Sequence, residues 1–159
     1  MLALAGCGGT SLPIQLRLDQ NSFVFYGYYL DSEEAVDLIV EEIRFAPEVH
    51  GSIIFDVAVL NRRQTPVKVD FGAAQLEIGN RRLLPQQPRS VVLLPHKLER
   101  ATLSFRTNYS EGEVDHGALR FPGVTLNTGQ KIRPFVAPFH RSSREELGRE
   151  LGVSGDELP

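Results

Sequence analysis

Residues 51–61, GSIIFDVAVLN, and residues 67–78, VKVDFGAAQLEI, decide the fold of this chain. In the first segment, one alternating set of residues is Ile53, Phe55, Val57 and Val59, and the other is Ile54, Asp56, Ala58 and Leu60. Such alternation, with many β-branched residues, is typical of β-strands. The polar stretch 62–66 between the segments is typical of a turn, and Gly79-Asn80 after the second is a tight hairpin signal. We therefore predict a run of antiparallel strands joined by short turns.

The same kind of pattern recurs on both sides of this unit. Further strand-like segments are residues 14–19, 22–30, 97–107, 114–126 and 130–139. Because proline cannot donate a ladder hydrogen bond, Pro134 and Pro138 predict that the last of these strands lies at a sheet edge. Roughly seven to nine short strands with turns between them predict a mainly β protein, an antiparallel immunoglobulin-like β-sandwich over residues 14–140.

Residues 31–45, DSEEAVDLIVEEIRF, fit two different structures. Asp31 followed three residues later by Glu34 is an acceptable helix start, and the apolar residues after it fall on one helical stripe. In the other structure Val36, Leu38 and Val40 alternate, and Ile43 and Phe45 alternate again after a slip at Glu41-Glu42 that a β-bulge would cause. Because valine and isoleucine prefer strands, we predict a strand over about 36–45.

The C-terminal residues differ in character from the body of the chain. Ser143 followed by Glu146 forms a capping box, and the charged residues around it favour a helix over about 143–151. Gly152 would end that helix. We therefore predict that residues 141–159 hold a short C-terminal helix and a disordered tail.

The only cysteine, Cys7, lies close to the first residue. Leu4-Ala5-Gly6-Cys7 resembles the lipobox of bacterial lipoproteins. This resemblance implies that residues 1–6 are the remnant of a signal peptide, that Cys7 carries lipid, and that residues 7–13 are a flexible tether. The segment departs from the family pattern in that no basic residue precedes Cys7.

The lipobox resemblance also implies a location. Each buried methylene contributes about 0.8 kcal/mol, so the acyl chains on Cys7 would anchor the protein in a membrane of the bacterial cell envelope. Gly8 stands where some lipoproteins carry an aspartate that retains them in the inner membrane. The resemblance therefore favours the outer membrane over the inner one.

A second resemblance concerns the body of the chain. The stretch 53–107 is similar to immunoglobulin-like domains of bacterial envelope lipoproteins. The likeness is carried by a strand that ends at Asn61, a polar turn that leads to Pro66, and the residues Leu76 and Gly79 in the following segment. It implies a fold and a compartment, and it implies no reaction.

Composition and motifs give little support for catalysis or metal binding. The net charge of −3 argues against general nucleic-acid binding. His50, His96, His116 and His140 lie far apart and show no zinc-ligand spacing. The acidic segment 111–117, EGEVDHG, offers carboxylates that calcium could use, but it lacks the spacing of a calcium loop. Nucleotide-binding and nucleophile motifs are absent. We predict neither a cofactor nor a metal site.

An anchor joined to a β-sandwich predicts a non-enzymatic module that docks onto another envelope protein. The uncharged aromatic segment 22–30, SFVFYGYYL, is the candidate docking surface, with Tyr26 and Tyr28 as the partner contacts. The competing interpretation is that both rings fill the core. The alternative function is a small-molecule or glycan receptor, or an enzyme, that uses the loops 85–90 and 108–116.

Overall fold

A computed structural model describes residues 14–18, 29–46, 51–109 and 114–143, with the backbone alone for residues 14–18, 46 and 141–143. The strands of the described chain are β1 Ile14–Leu18, β2 Tyr29–Glu33, β3 Val36–Ala46, β4 Ser52–Asn61, β5 Val67–Asp70, β6 Gln75–Ile78, β7 Arg81–Leu83, β8 Ser90–Leu93, β9 Leu98–Arg106, β10 His116–Phe121, β11 Val124–Leu126 and β12 Phe135–Ser143. A 3-10 helix at Phe71–Ala73 separates β5 from β6. The protein is therefore mainly β, as the sequence predicts.

The strands form three antiparallel sheets. Sheet A has the order β9-β4-β3-β2, sheet B the order β1-β12-β10-β6-β7, and sheet C the order β11-β5-β8. Sheets B and C continue one another, because the same two stretches of chain pair in both. Strand β6 pairs with β10 in sheet B, and the strands next to them along the chain, β5 and β11, pair in sheet C. The result is a sandwich-like arrangement with sheet A on one side and sheets B and C on the other.

The junction between sheets B and C depends on a close backbone contact. The amide of Asp70 donates to the carbonyl of Gly123 (2.8 Å). A Cβ atom on Gly123 would lie only 2.1 Å from the Asp70 carbonyl oxygen, so a side chain cannot be accommodated there. The carboxylate of Asp70 accepts from the Gly72 amide (3.0 Å) and so caps the 3-10 helix.

One apolar core lies between the layers. In β4, residues 53, 55, 57 and 59 are all fully buried, so this one of the two alternating sets forms the inner face of the strand. The Phe55 ring meets Phe105 of sheet A and Phe139 of sheet B, both edge-on, with centroids 5.8 and 5.7 Å away. These aromatic contacts fix how the two layers face each other.

The ambiguous segment 31–45 is a β-hairpin. β2 and β3 pair in antiparallel register across the two-residue turn Glu34-Ala35. The register between β3 and β4 shifts between Val40 and Glu42, which confirms the predicted strand and its bulge. The helical interpretation is wrong, because burial of the alternate residues Val36 and Leu38 in the core decides the structure over local capping signals.

Two strand predictions need correction. Strand β12 is not a sheet edge, because it lies between β1 and β10. Its ladder with β1 begins at Phe139, after both prolines, so Pro138 removes no donor from that ladder. The segment 114–126 is two strands, because the chain breaks at Pro122-Gly123 beside Asp70. Strand β12 extends to Ser143, and the rest of the predicted C-terminal helix and tail lies outside the described residues.

Candidate functional site

The outer face of sheet A, which points away from the core, is a charged surface. In β4 the residues between the buried set point to this face, and they pair with equally outward residues of β3 and β9. The charged and polar members of this outer face are Ser32, Asp37, Glu42, Arg44, Asp56, Arg100, Thr102 and Ser104, and the apolar members are Leu30, Ile39, Ile54, Ala58, Leu60 and Leu98. The face is therefore built by the same alternation that builds the core.

Asp56 lies at the centre of the outer face. Its carboxylate accepts a hydrogen bond from Thr102 Oγ1 (2.7 Å) on one side and from Arg44 Nη2 (2.9 Å) on the other. Partial burial raises the pKa of Asp56, but the hydrogen bonds from Thr102 and Arg44 outweigh it and leave the pKa below its ordinary value. At neutral pH Asp56 is thus a hydrogen-bond acceptor and cannot serve as a general acid.

The bulge in β3 adds a further carboxylate, that of Glu41, to this face. It places Glu41 beside Glu42, and Glu41 pairs with Arg100 of β9 (3.2 Å). Because β4 lies between β3 and β9, this ion pair spans β4. Ala58, the cross-strand partner of Arg100, is accordingly fully buried although it points outward. Bulges commonly re-aim side chains in this way.

An open, shallow depression forms where these charges meet Arg89. It is lined by Glu41, Glu42, Asp56, Val57, Arg89, Arg100, Ala101 and Thr102. Arg89 reaches the edge of β9, where its guanidinium donates to the Arg100 carbonyl (3.1 Å) and pairs with Glu99. Acidic and basic groups alternate across the depression, so it offers polar contacts of both signs rather than a field of one sign.

Asn61, at the end of β4, is a polar residue that the core encloses completely. Its amide nitrogen donates to the carbonyls of Thr65 and Leu93, both at 3.0 Å, and its amide oxygen accepts from the Arg63 amide (2.9 Å). All the hydrogen-bonding groups of this amide nitrogen are used. Asn61 therefore fixes the path of the turn 62–66 and ties it to strand β8.

The structure describes none of the three predicted site residues. Cys7, Tyr26 and Tyr28 lie outside the described residues. Tyr29, which follows directly, is in β2, where it is buried and donates its hydroxyl to the Val136 carbonyl (2.6 Å). Strand β2 is the last strand of sheet A in the described chain, so the segment 22–30 leads into a sheet edge.

The two loops of the alternative function follow different paths. The segment 85–90 runs along the edge of β9, since the Gln86 amide donates to the Ser104 carbonyl (2.9 Å) and Arg89 contacts Arg100. Of the segment 108–116, Asp115 and His116 are exposed and contact each other (3.6 Å). Among the described residues, no group of three His, Cys, Asp or Glu side chains is placed to hold a metal ion.

Arg62 and Arg63 make contacts with another turn that the sequence pattern does not reveal. The sequence marks 62–66 only as a polar turn, whereas the structure shows that Arg62 and Arg63 bind the β2–β3 turn. No helix in the described part of the chain has the length and apolar character needed to span a membrane.

Comparison with known proteins gives information about the fold alone. No family model and no curated protein matches the chain. A functionally unknown protein from Listeria monocytogenes EGD-e is 12% identical, with a TM-score of 0.52 over 87% of this chain and 97% of that one. The yjhA protein from Bacillus subtilis is 13% identical, with a TM-score of 0.47 over 59% and 77% of the two chains. The Listeria protein shares the fold of this chain.

Proposed function

We propose that this protein is a lipid-anchored, immunoglobulin-like β-sandwich module of the bacterial cell envelope, and that it docks onto another envelope protein without catalysing a reaction. The anchor rests on Leu4-Ala5-Gly6-Cys7 and the small residues that follow. The docking role rests on one observation, namely that the uncharged aromatic segment 22–30 leads into β2, at the edge of sheet A. Edge strands are the usual sites of strand-mediated association.

The anchor is tested by lipidation of Cys7. In a bacterial host, with a complete signal peptide placed ahead of the chain, the mature protein should begin at Cys7 and carry acyl mass, because the acyl chains are what hold it in the membrane. Cys7→Ser should move the protein from the membrane fraction to the soluble periplasm. If the Ser variant stays in the membrane fraction at the level of the parent, the anchor is refuted.

The docking surface is tested with a matched set of tyrosine variants. Tyr26→Ser with Tyr28→Ser should leave the unfolding midpoint unchanged and abolish recovery of an envelope protein crosslinked to the parent. Tyr29→Ser is the control, because Tyr29 is buried and bonded to Val136, and it should lower stability by about 3–5 kcal/mol. A comparable stability loss in the Tyr26 and Tyr28 variant would assign those rings to the core and reject the docking surface.

A receptor for a small polar molecule or glycan is the second candidate. It is favoured by the position of Arg89, which belongs to the segment 85–90 and lines the charged depression with Asp56 and Thr102. Arginine and carboxylate groups commonly orient the hydroxyl groups of such ligands. Titration with a panel of envelope glycans should then shift the NMR signals of β9, and Arg89→Ala should remove that shift.

A further inference from the structure

The turn between β2 and β3 has an unfavourable backbone. Both central residues, Glu34 and Ala35, have positive φ angles, of 51° and 60°. A two-residue turn with two positive φ angles is normally built with Asn-Gly, Asp-Gly or Gly-Gly. Residues other than glycine are strained in this region of backbone conformation. The Glu34-Ala35 turn therefore does not form by its own preference.

Arg62 and Arg63, here called the arginine pair, make the contacts that offset this strain. The Arg62 amide donates to the Ala35 carbonyl (2.9 Å), and Arg63 Nη1 donates to the Glu34 carbonyl (2.8 Å). The arginine pair thus binds both carbonyls of the strained residues. Asn61 holds the arginine pair in place through its bond to the Arg63 amide.

The Arg62 guanidinium also joins the two strands of the hairpin. It binds Asp37 of β3 through two bonds, of 2.7 and 2.8 Å, and it donates to Ser32 Oγ of β2 (2.7 Å). Ser32 and Asp37 are direct cross-strand partners, and the Ser32 hydroxyl donates to Asp37 (2.6 Å). A bidentate guanidinium–carboxylate contact of this kind is stronger and more directional than a single ion pair.

Strand β2 has little other support in the described chain. Tyr29 is its only fully buried residue, whereas most of β4 is buried. It pairs with β3 over five residues, and its contacts to the opposite layer include the Tyr29 hydroxyl on Val136 and the ion pair between Glu33 and Arg133. Regions with few buried apolar contacts open at lower free energy than the rest of a domain.

We propose that the arginine pair is a fastening that holds β2 on sheet A, and that loss of this fastening lets β2 detach while the remainder of the sandwich stays folded. Detachment uncovers the edge of β3 from Val36 to Val40, where β2 now pairs. Strand β2 is therefore a releasable edge strand. This inference does not depend on the proposed docking role.

Hydrogen exchange of the full chain, measured by mass spectrometry, tests the fastening. Arg62→Gln with Arg63→Gln removes the guanidinium contacts to Asp37, Ser32 and the Glu34 carbonyl and leaves the bond from the backbone amide of residue 62 to Ala35 in place. Peptides that cover residues 29–40 should then exchange roughly tenfold or more faster, and peptides of β4 should keep their rates. Arg82→Gln is the matched control, because Arg82 pairs with Glu77 on another hairpin, and it should leave 29–40 unchanged. Unchanged exchange in 29–40, or equal acceleration across all strands, overturns the proposal.

A second variant separates the strain from the charges. Glu34→Asn with Ala35→Gly gives the turn its preferred sequence, so exchange in 29–40 should slow in the parent protein. The same change should largely restore protection when it is added to the Arg62 and Arg63 variant. If it neither slows exchange in the parent nor restores protection, the arginine pair does not act through the turn and the proposal is wrong.

Discussion

Phe55 and Asp56 are adjacent in β4, yet they belong to opposite faces of sheet A. Phe55 is fully buried and contacts two aromatic rings, one in each layer. Asp56 points to solvent and is held by Thr102 and Arg44. The inner face gains its stability from apolar burial, whereas the outer face is built of exposed ion pairs, each of which contributes little.

The difference shows that the inner residues of a strand determine its contribution to stability, whereas the outer residues of the same strand determine its surface chemistry. Substitutions on the inner face should act on folding, and substitutions on the outer face should act on what the surface can bind. The outer face around Asp56 should therefore tolerate changes of charge, whereas its Ser32–Asp37 end carries the contacts to Arg62 that hold β2. The predictions below test that division, in order of decreasing expected effect.

Removal of the Phe55 ring should have the largest effect. Phe55→Ala should lower the free energy of unfolding by about 3–5 kcal/mol, since it leaves a cavity between the layers. Ile54→Ala, a truncation of the neighbouring outer-face residue, is the control and should cost far less. Urea unfolding measures both. Equal losses at 54 and 55 would erase the distinction between the two faces.

Asn61 is one of three polar residues that are fully buried in the described chain, together with Ser52 and Thr107. Asn61→Ala should lower stability by about 1–3 kcal/mol, since it leaves the carbonyls of Thr65 and Leu93 without their donor. Asn127→Ala, at an exposed turn, is the matched control. Thermal unfolding of the two variants compares them, and a neutral Asn61→Ala would mean that water replaces the amide at no cost.

The Asp56 contacts should be worth less than either change. Asp56→Asn and Thr102→Val should each shift stability by less than about 1 kcal/mol, because the pairs are exposed and screened by salt. A double-mutant cycle at low and high salt measures the coupling. A coupling that is large and independent of salt would show that the outer face contributes to folding after all.

Acid should reveal a small effect of the same kind. The pKa values of Asp37 and Asp56 lie below the ordinary value of about 3.9, chiefly through bonds to Arg62 and Ser32 in one case and to Thr102 and Arg44 in the other, which outweigh the effect of burial. A lowered folded-state pKa contributes stability above the unfolded-state pKa, and this contribution is lost as the pH falls through the folded-state pKa.

Asp37→Asn with Asp56→Asn should therefore flatten the dependence of stability on pH below about pH 4, with little change in its shape near neutrality. Denaturant midpoints measured across the acid range give the comparison with the parent protein. An unaltered acid slope would show that other carboxylates determine it.

Features written in neighbouring residues could be predicted from the sequence. The alternation in 51–61 predicted strand β4 and its two faces. The slip at Glu41-Glu42 predicted the bulge, and Gly79-Asn80 predicted the hairpin between β6 and β7. Each depends on local backbone preference or on a period of two residues, so a single chain segment carries the whole signal.

Features that depend on distant partners could not be predicted in this way. Pro138 suggested a sheet edge, but whether a strand gains a second neighbour depends on where β1 arrives. The Glu34-Ala35 turn has no turn-forming residue, because Arg62 and Arg63 supply its stability from another turn. The charged depression likewise combines residues from four separate segments. A local sequence pattern does not contain information on contacts between residues that are distant along the chain.

The pairing of β1 with β12 has a consequence for how the chain folds. Ile14 lies opposite Ser143, so the first and last described strands are neighbours in sheet B. Closing so long a loop costs chain entropy, and proteins dominated by distant pairings fold slowly. During synthesis β1 leaves the ribosome well before β12, and it has no ladder partner until β12 follows. Strand β1 can therefore join sheet B only after β12, the last described strand, has been synthesised.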